Sequence, residues 1–88
     1  MAWTVSFSAA AAKAFGGLDR PIQRRIQKFI DTRLETDPDP RRIGEAYTGP
    51  LKGYWKYRIG GYRLICELQD KAVRIVVIAI GDRKEVYR

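Results

Sequence analysis

The chain has 88 residues, 45% apolar and 11% aromatic, with 17 Lys/Arg against 10 Asp/Glu and a net charge of +7. That is enough for one small domain, residues 1–88, and too apolar for a disordered chain; its longest uninterrupted apolar run, Ile75 to Ile80, falls far short of the roughly 20 residues that cross a bilayer. With no histidine and one cysteine, Cys66, the sequence excludes histidine acid–base chemistry, an internal disulfide and cysteine-rich zinc sites, and it suits a reducing cytoplasm.

In chain order, "WTVSF" (3–7) alternates and is rich in strand formers, which predicts a first strand. The opening "MAWTVSFSAAAAK" lacks a basic lead into an apolar segment, so no secretory signal is expected. Ser8 is a good N-cap for the short helix "AAAAKAF", which Gly16-Gly17 ends. Asp19 can cap a second helix that tolerates Pro21 in its first turn and runs to about Glu35. Ile22, Ile26, Phe29, Ile30 and Leu34 recur on one face of it, while Arg24, Arg25 and Lys28 lie off that face and read as solvated. "TDPDP" stops the helix, and a loop runs through "RRIGEAYTGP" to Pro50.

The remainder predicts an antiparallel meander of Tyr54–Ile59, Tyr62–Gln69 and Ala72–Ile80. The fold class is therefore α+β: an N-terminal strand and two helices packed on a mainly antiparallel sheet with a C-terminal three-stranded meander. Gly60-Gly61 suits a two-residue hairpin turn, which pairs Ile59 with Tyr62, Arg58 with Arg63 and Lys56 with Ile65. Alternation then sends Trp55, Tyr57, Ile59, Tyr62, Leu64, Cys66 and Leu68 toward the helices, and Lys56, Arg58 and Arg63 to the opposite side. A second two-residue turn at Asp70-Lys71 places Val73, Ile75, Val77 and Ala79 on the core side. The same turn sets Arg74 opposite Glu67 as an ion pair and puts Val76, Ile78 and Ile80 on the Arg63 side.

The charge is uneven. Residues 1–49 carry eight Lys/Arg and six Asp/Glu, net +2; residues 50–88 carry nine and four, net +5. A basic half built of strands points to a polyanion, either nucleic acid or an acidic protein. Two arginines facing across a ladder repel; they either splay into water or hold an anion between them. The last strand returns beside Tyr62 and Arg63, and a bend at Gly81 would bring Arg83, Lys84 and Tyr87 toward the same cluster. Cations and one tyrosine, without histidine or a metal cage, suit phosphoryl transfer on RNA with the substrate's own 2′-hydroxyl as attacker. Tyr87 can act as general base if the arginines lower its pKa from about 10. Arg83, whose pKa exceeds about 12, would mainly stabilise developing charge. Asp82, Glu85 and Glu67 are not at metal-motif spacing, so neither a metal nor any other cofactor is expected.

"GPLKGYWKYRIGGYRLICELQD" followed by "VRIVVIAIGDRKEVYR" resembles the RelE branch of the RelE/ParE toxin superfamily of bacterial type II toxin–antitoxin systems. The best-matching pieces are "LKG", Tyr62-Arg63 and the final "EVYR", and the likeness covers essentially the whole chain. It implies a metal-independent endoribonuclease, an mRNA interferase that cuts messenger RNA in the ribosomal A site and inhibits translation from the bacterial cytoplasm. The catalytic set it implies is Lys56, Arg58, Arg63, Arg83 and Tyr87, with Lys52, Lys84 and Arg88 as further RNA contacts. The implied partners are the ribosome, mRNA and a cognate acidic antitoxin in a hetero-oligomer, with no membrane association. The chain departs from the family at Asp82, where many relatives carry histidine, and at Gly61, where a Gly-Asp turn is common. The same fold also allows ParE-like inhibition of DNA gyrase, or a non-catalytic module that only binds antitoxin or RNA.

Overall fold

The computed structural model describes residues 3–82. Strand β1, Thr4–Phe7, leads into helix α1, Ala9–Gly16, whose Ser8 cap accepts a 3.1 Å hydrogen bond from the Ala11 amide. Helix α2, Arg20–Phe29, continues as a π-helical turn over Ile30–Leu34, closed by a bond from the Glu35 amide to the Ile30 carbonyl. The helical run thus ends where the periodicity places it. Asp19 holds the N-cap position, but its carboxylate makes no capping bond.

The segment expected to be loop holds more structure than its composition suggests. Pro40–Ile43 and Gly49–Leu51 are 3₁₀ turns, and between them Glu45–Ala46 forms a two-residue strand, β2. Strands β3 (Trp55–Ile59), β4 (Tyr62–Gln69) and β5 (Arg74–Asp82) follow. One five-stranded sheet results, in the order β1-β5-β4-β3-β2, with β1 parallel to β5 and every other pairing antiparallel. Edge strand β1 is covered where its Val5 amide donates to the Glu35 carboxylate at 3.1 Å, which satisfies a donor that an open edge would leave available.

The β3–β4 register is the one the glycine pair dictates, with Arg58 opposite Arg63 and Lys56 opposite Ile65. Of the two glycines only Gly60 has positive φ, 58°, as a II′ turn requires. The β4–β5 register departs from expectation twice. Asp70–Ala72 form a 3₁₀ turn and Val73 adopts a left-handed conformation (φ 50°), so the connection is longer than two residues. Glu67 consequently faces Val76, Arg74 faces Gln69, and the expected Glu67–Arg74 pair does not form. A bulge then leaves Ile78 without a cross-strand partner between Val77, opposite Cys66, and Ala79, opposite Ile65. The Ile78 carbonyl accepts instead from the Ser8 hydroxyl at 3.3 Å. Beyond the bulge the faces are exchanged, so Ile80 packs on the core and Ala79 lies on the open face, the reverse of the sequence prediction. The strand also continues through Gly81 to Asp82 rather than bending at Gly81.

The core lies between the helices and one face of the sheet: Ala11, Ile26, Ile30 and Leu34 meet Tyr57, Ile59, Leu64, Cys66, Ile75 and Val77. Tyr57 is fully buried and its hydroxyl donates to the Pro40 carbonyl at 2.9 Å. Arg41 joins the first 3₁₀ turn to the β4–β5 turn by a bidentate pair with Asp70, at 2.9 and 2.8 Å, and lies 5.8 Å from the Trp55 ring centroid. The Arg41 hydrogen bond holds the Asp70 carboxyl below the usual carboxylate range. Among the described residues, no helix is long and apolar enough to cross a membrane.

Candidate functional site

Strand alternation presents Lys56, Arg58 and Arg63 on the face away from the helices, because Tyr57, Ile59 and Leu64 between them are buried. Arg58 is 70% exposed, whereas Lys56 is 18% exposed and its ammonium lies 5.5 Å from the Tyr47 ring centroid. Arg58, Gly60, Gly61, Tyr62 and Arg63 enclose a cleft of about 310 Å³ at the hairpin tip. A second, apolar pocket of about 590 Å³ lies farther down the same face, among Tyr47, Pro50, Leu51, Ile65, Ile78 and Ala79. Lys56 stands at its border, on the Tyr47 ring and directly across from Ile65. The face is therefore an apolar floor with cations along one edge, as its sequence suggests, although the bulge changes which β5 residues form the floor.

Sequence reasoning missed Glu45. In β2 it is the register partner of Lys56, and its Oε1 lies 3.1 Å from Arg58 Nε and 3.6 Å from Lys56 Nζ. The Arg58 hydrogen bond, reinforced by the Lys56 charge, holds its carboxyl below the usual carboxylate range. A two-residue strand has no periodicity to read. The available signal was that Glu45 is the lone acid between Asp39 and Glu67, immediately before a basic hairpin.

Lys52 is exposed just after the second 3₁₀ turn, where its amide donates to the Gly49 carbonyl. Arg83, Lys84, Tyr87 and Arg88 lie outside the described residues. Among the described residues no three of Cys, Asp and Glu gather as metal ligands. Clustered guanidinium and ammonium groups beside an apolar floor can hold a phosphodiester and neutralise charge that develops on its oxygens.

Residues 5–87 match the model of the family described as the ParE toxin of the type II toxin–antitoxin system. The chain is 27% identical to Toxin RelG of Mycobacterium tuberculosis, over 100% of its own length and 99% of the relative's. It is 31% identical to the mRNA interferase toxin RelE of Escherichia coli K12, over 99% and 92%. Its fold superposes on a chain of the RelBE2 toxin–antitoxin complex of M. tuberculosis with a TM-score of 0.85 at 25% identity, covering 97% and 95% of the two chains. Against the intact E. coli RelBE toxin–antitoxin complex the TM-score is 0.71, at 25% identity and 99% and 100% coverage. With the α+β fold of RelE structures and a family match spanning nearly its whole length, the chain belongs to the RelE/ParE superfamily of type II toxins, on the RelE-like branch.

Proposed function

We propose that this toxin is a ribosome-dependent endoribonuclease that cuts messenger RNA in the A site and is held inactive by a cognate antitoxin. The observation that carries the reading is the Arg58–Arg63 pair, two like charges facing each other at the mouth of an open cleft. Two guanidinium forks on neighbouring strands can grip one anion together, and a phosphate would take the place that the Glu45 carboxylate holds on Arg58. Relatives named mRNA interferase support RNA as that anion, and neighbours solved as RelBE complexes support an antitoxin partner.

In this scheme the substrate's 2′-oxygen attacks the adjacent phosphorus and the P–O5′ bond breaks. The products are a 2′,3′-cyclic phosphate, which can open to a 3′-phosphate, and a 5′-hydroxyl. Lys56, Arg58 and Arg63 hold the phosphate oxygens. Family resemblance assigns Tyr87 the proton of the attacking hydroxyl and Arg83 the charge developing in the transition state. Lys52, Lys84 and Arg88 contact flanking RNA. The ribosome supplies the bent substrate geometry that a shallow, open face does not, and the reaction belongs to the bacterial cytoplasm.

The test is induction without antitoxin, with 5′ ends mapped on one reporter message and on an untranslatable copy. Cuts confined to the translated message, and reduced about 10²-fold or more by Arg63→Ala and by Tyr87→Phe, are expected. Growth arrest without cuts overturns the reading in favour of the ParE-like alternative, DNA gyrase inhibition. Neither cuts nor arrest leaves a binding module.

A further inference from the structure

Helix α2 keeps its apolar side, Ile22, Ile26, Phe29 and Ile30, against the core. On its outer side Arg20, Arg24 and Lys28 are exposed and recur four residues apart, one above the other along the helix. At about 1.5 Å per residue they span about 12 Å in steps of about 6 Å. From Arg20 to Ile30 the only charged residues are these three and Arg25, with no acid among them. Arg25 lies off the stripe, beside Gly60. Such a stripe works against the helix that carries it. Like charges four residues apart repel, and Arg20 stands in a first turn where the helix dipole favours acids and none is present. The acid beyond Lys28, Asp31, accepts from Gln27 Nε2 at 2.9 Å. Among the described residues no carboxylate pairs with Arg20, Arg24 or Lys28.

We propose that this outer face of α2 is a docking surface for the backbone of double-helical RNA, separate from the message-cutting cleft. The inference rests on RNA as the partner class and not on cutting. The helices cover one face of the sheet while Lys56, Arg58 and Arg63 lie on the other, so the two sets of cations serve RNA on opposite sides of the molecule. Charge complementarity selects the occupant. A duplex turns its bases inward and presents closely spaced phosphates along each strand, which cations on one straight helix can follow in any sequence. Unpaired RNA is held by aromatic platforms for its bases, and the outer face offers none: the one ring of α2, Phe29, packs on the core side. An acidic peptide needs an apolar anchor, and every apolar side chain from Ile22 to Ile30 is likewise turned inward.

The test is titration of the full chain into a fluorescein-labelled RNA duplex with 2′-O-methyl sugars, across a range of salt concentrations. Arg24→Ala combined with Lys28→Ala should weaken binding about 10-fold or more and lower the log–log salt slope by about 1.4–1.8, two phosphate contacts. Lys71→Ala, an exposed charge removed from the β4–β5 turn, should change affinity less than about twofold. The Tm of the double variant should stay level or rise, since like charges leave the helix. A double variant that binds like Lys71→Ala overturns the surface, and so does one that melts earlier and loses binding with its fold. It is equally overturned if the double variant loses a DNA duplex of the same sequence, or a glutamate-rich peptide, and keeps the RNA. Arg63→Ala, scored for message cutting, keeps the two readings apart. Cutting lost there, with duplex binding kept in the double variant, removes the α2 surface alone. No cutting by the parent chain, with duplex binding lost in the double variant, removes the nuclease reading and leaves the surface standing.

Discussion

Glu45 sets the electrostatic state of the basic face, because one of its carboxylate oxygens engages both Arg58 and Lys56. A phosphate arriving at those cations must displace it. Glu45→Gln keeps the shape and removes the charge, so affinity for a 2′-O-methyl RNA stem-loop, whose blocked 2′-oxygens prevent cleavage, should rise about two- to fivefold, with a steeper salt dependence. Unchanged affinity at low salt would mean that Glu45 does not compete for the cations. Lys56, Arg58 and Arg63 were legible from strand alternation alone, whereas Glu45 was not, since its place follows from long-range pairing of a two-residue strand. Tyr57 shows the same division. Alternation predicts its inward direction, but its partner, the Pro40 carbonyl, is reached only through the 3₁₀ turn. Tyr57→Phe strands that buried acceptor at a cost of about 1–2 kcal/mol. For a domain of this size that is a fall in Tm of about 4–16 °C, measurable by circular dichroism.

At the scale of elements, the two hairpins differ in how their turns fix the register. Gly60-Gly61 specifies a two-residue turn, so every β3–β4 pair was legible. Asp70-Lys71 specifies nothing comparable. The 3₁₀ turn moves the β4–β5 pairing by two residues, a shift that breaks the Glu67–Arg74 pair yet keeps Ile75 and Val77 inward. The bulge at Ile78 moves it by one more, and with a period of two that flips Ala79 and Ile80. Two glycines flanking the candidate site test different forces. A Cβ at Gly44 would lie 2.8 Å from Tyr57 Cε1, in a ring fixed by burial and its hydrogen bond, so Gly44→Ala should cost about 1–3 kcal/mol through overpacking. At Gly60 the obstruction is the movable end of Arg25, and the cost of Gly60→Ala is the left-handed backbone, about 1–2 kcal/mol. Both variants should melt earlier by circular dichroism, Gly44→Ala through the ring it displaces and Gly60→Ala through the backbone it strains. A Tm unchanged in Gly60→Ala would mean that the turn relaxes around the added side chain.

The whole molecule divides its chemistry between the two faces of one sheet. Helices cover one face so completely that it holds a thiol and a phenol, Cys66 and Tyr57, both fully buried, while the other carries the cations and the apolar pocket. That division has a consequence for pH. Burial pushes the Cys66 thiol up from an ordinary value of 9.0 to about 12, and burial likewise raises the Tyr57 phenol above its ordinary 10.0. For an acid whose folded pKa is raised, the unfolded chain releases its proton first, so stability is intact below the unfolded pKa and falls as pH rises toward the folded one. Each such group then contributes a loss of up to about 1.4 kcal/mol per pH unit. Under reducing conditions Tm should therefore be level between about pH 7 and 8, decline above about 9 as the unfolded chain's Cys66 thiol ionises, and steepen above about 10 as Tyr57 joins it. Cys66→Ala should delay the onset to about pH 10 without abolishing the later fall. An onset unchanged in that variant would mean that the loss between about pH 9 and 10 does not come from the buried Cys66 thiol.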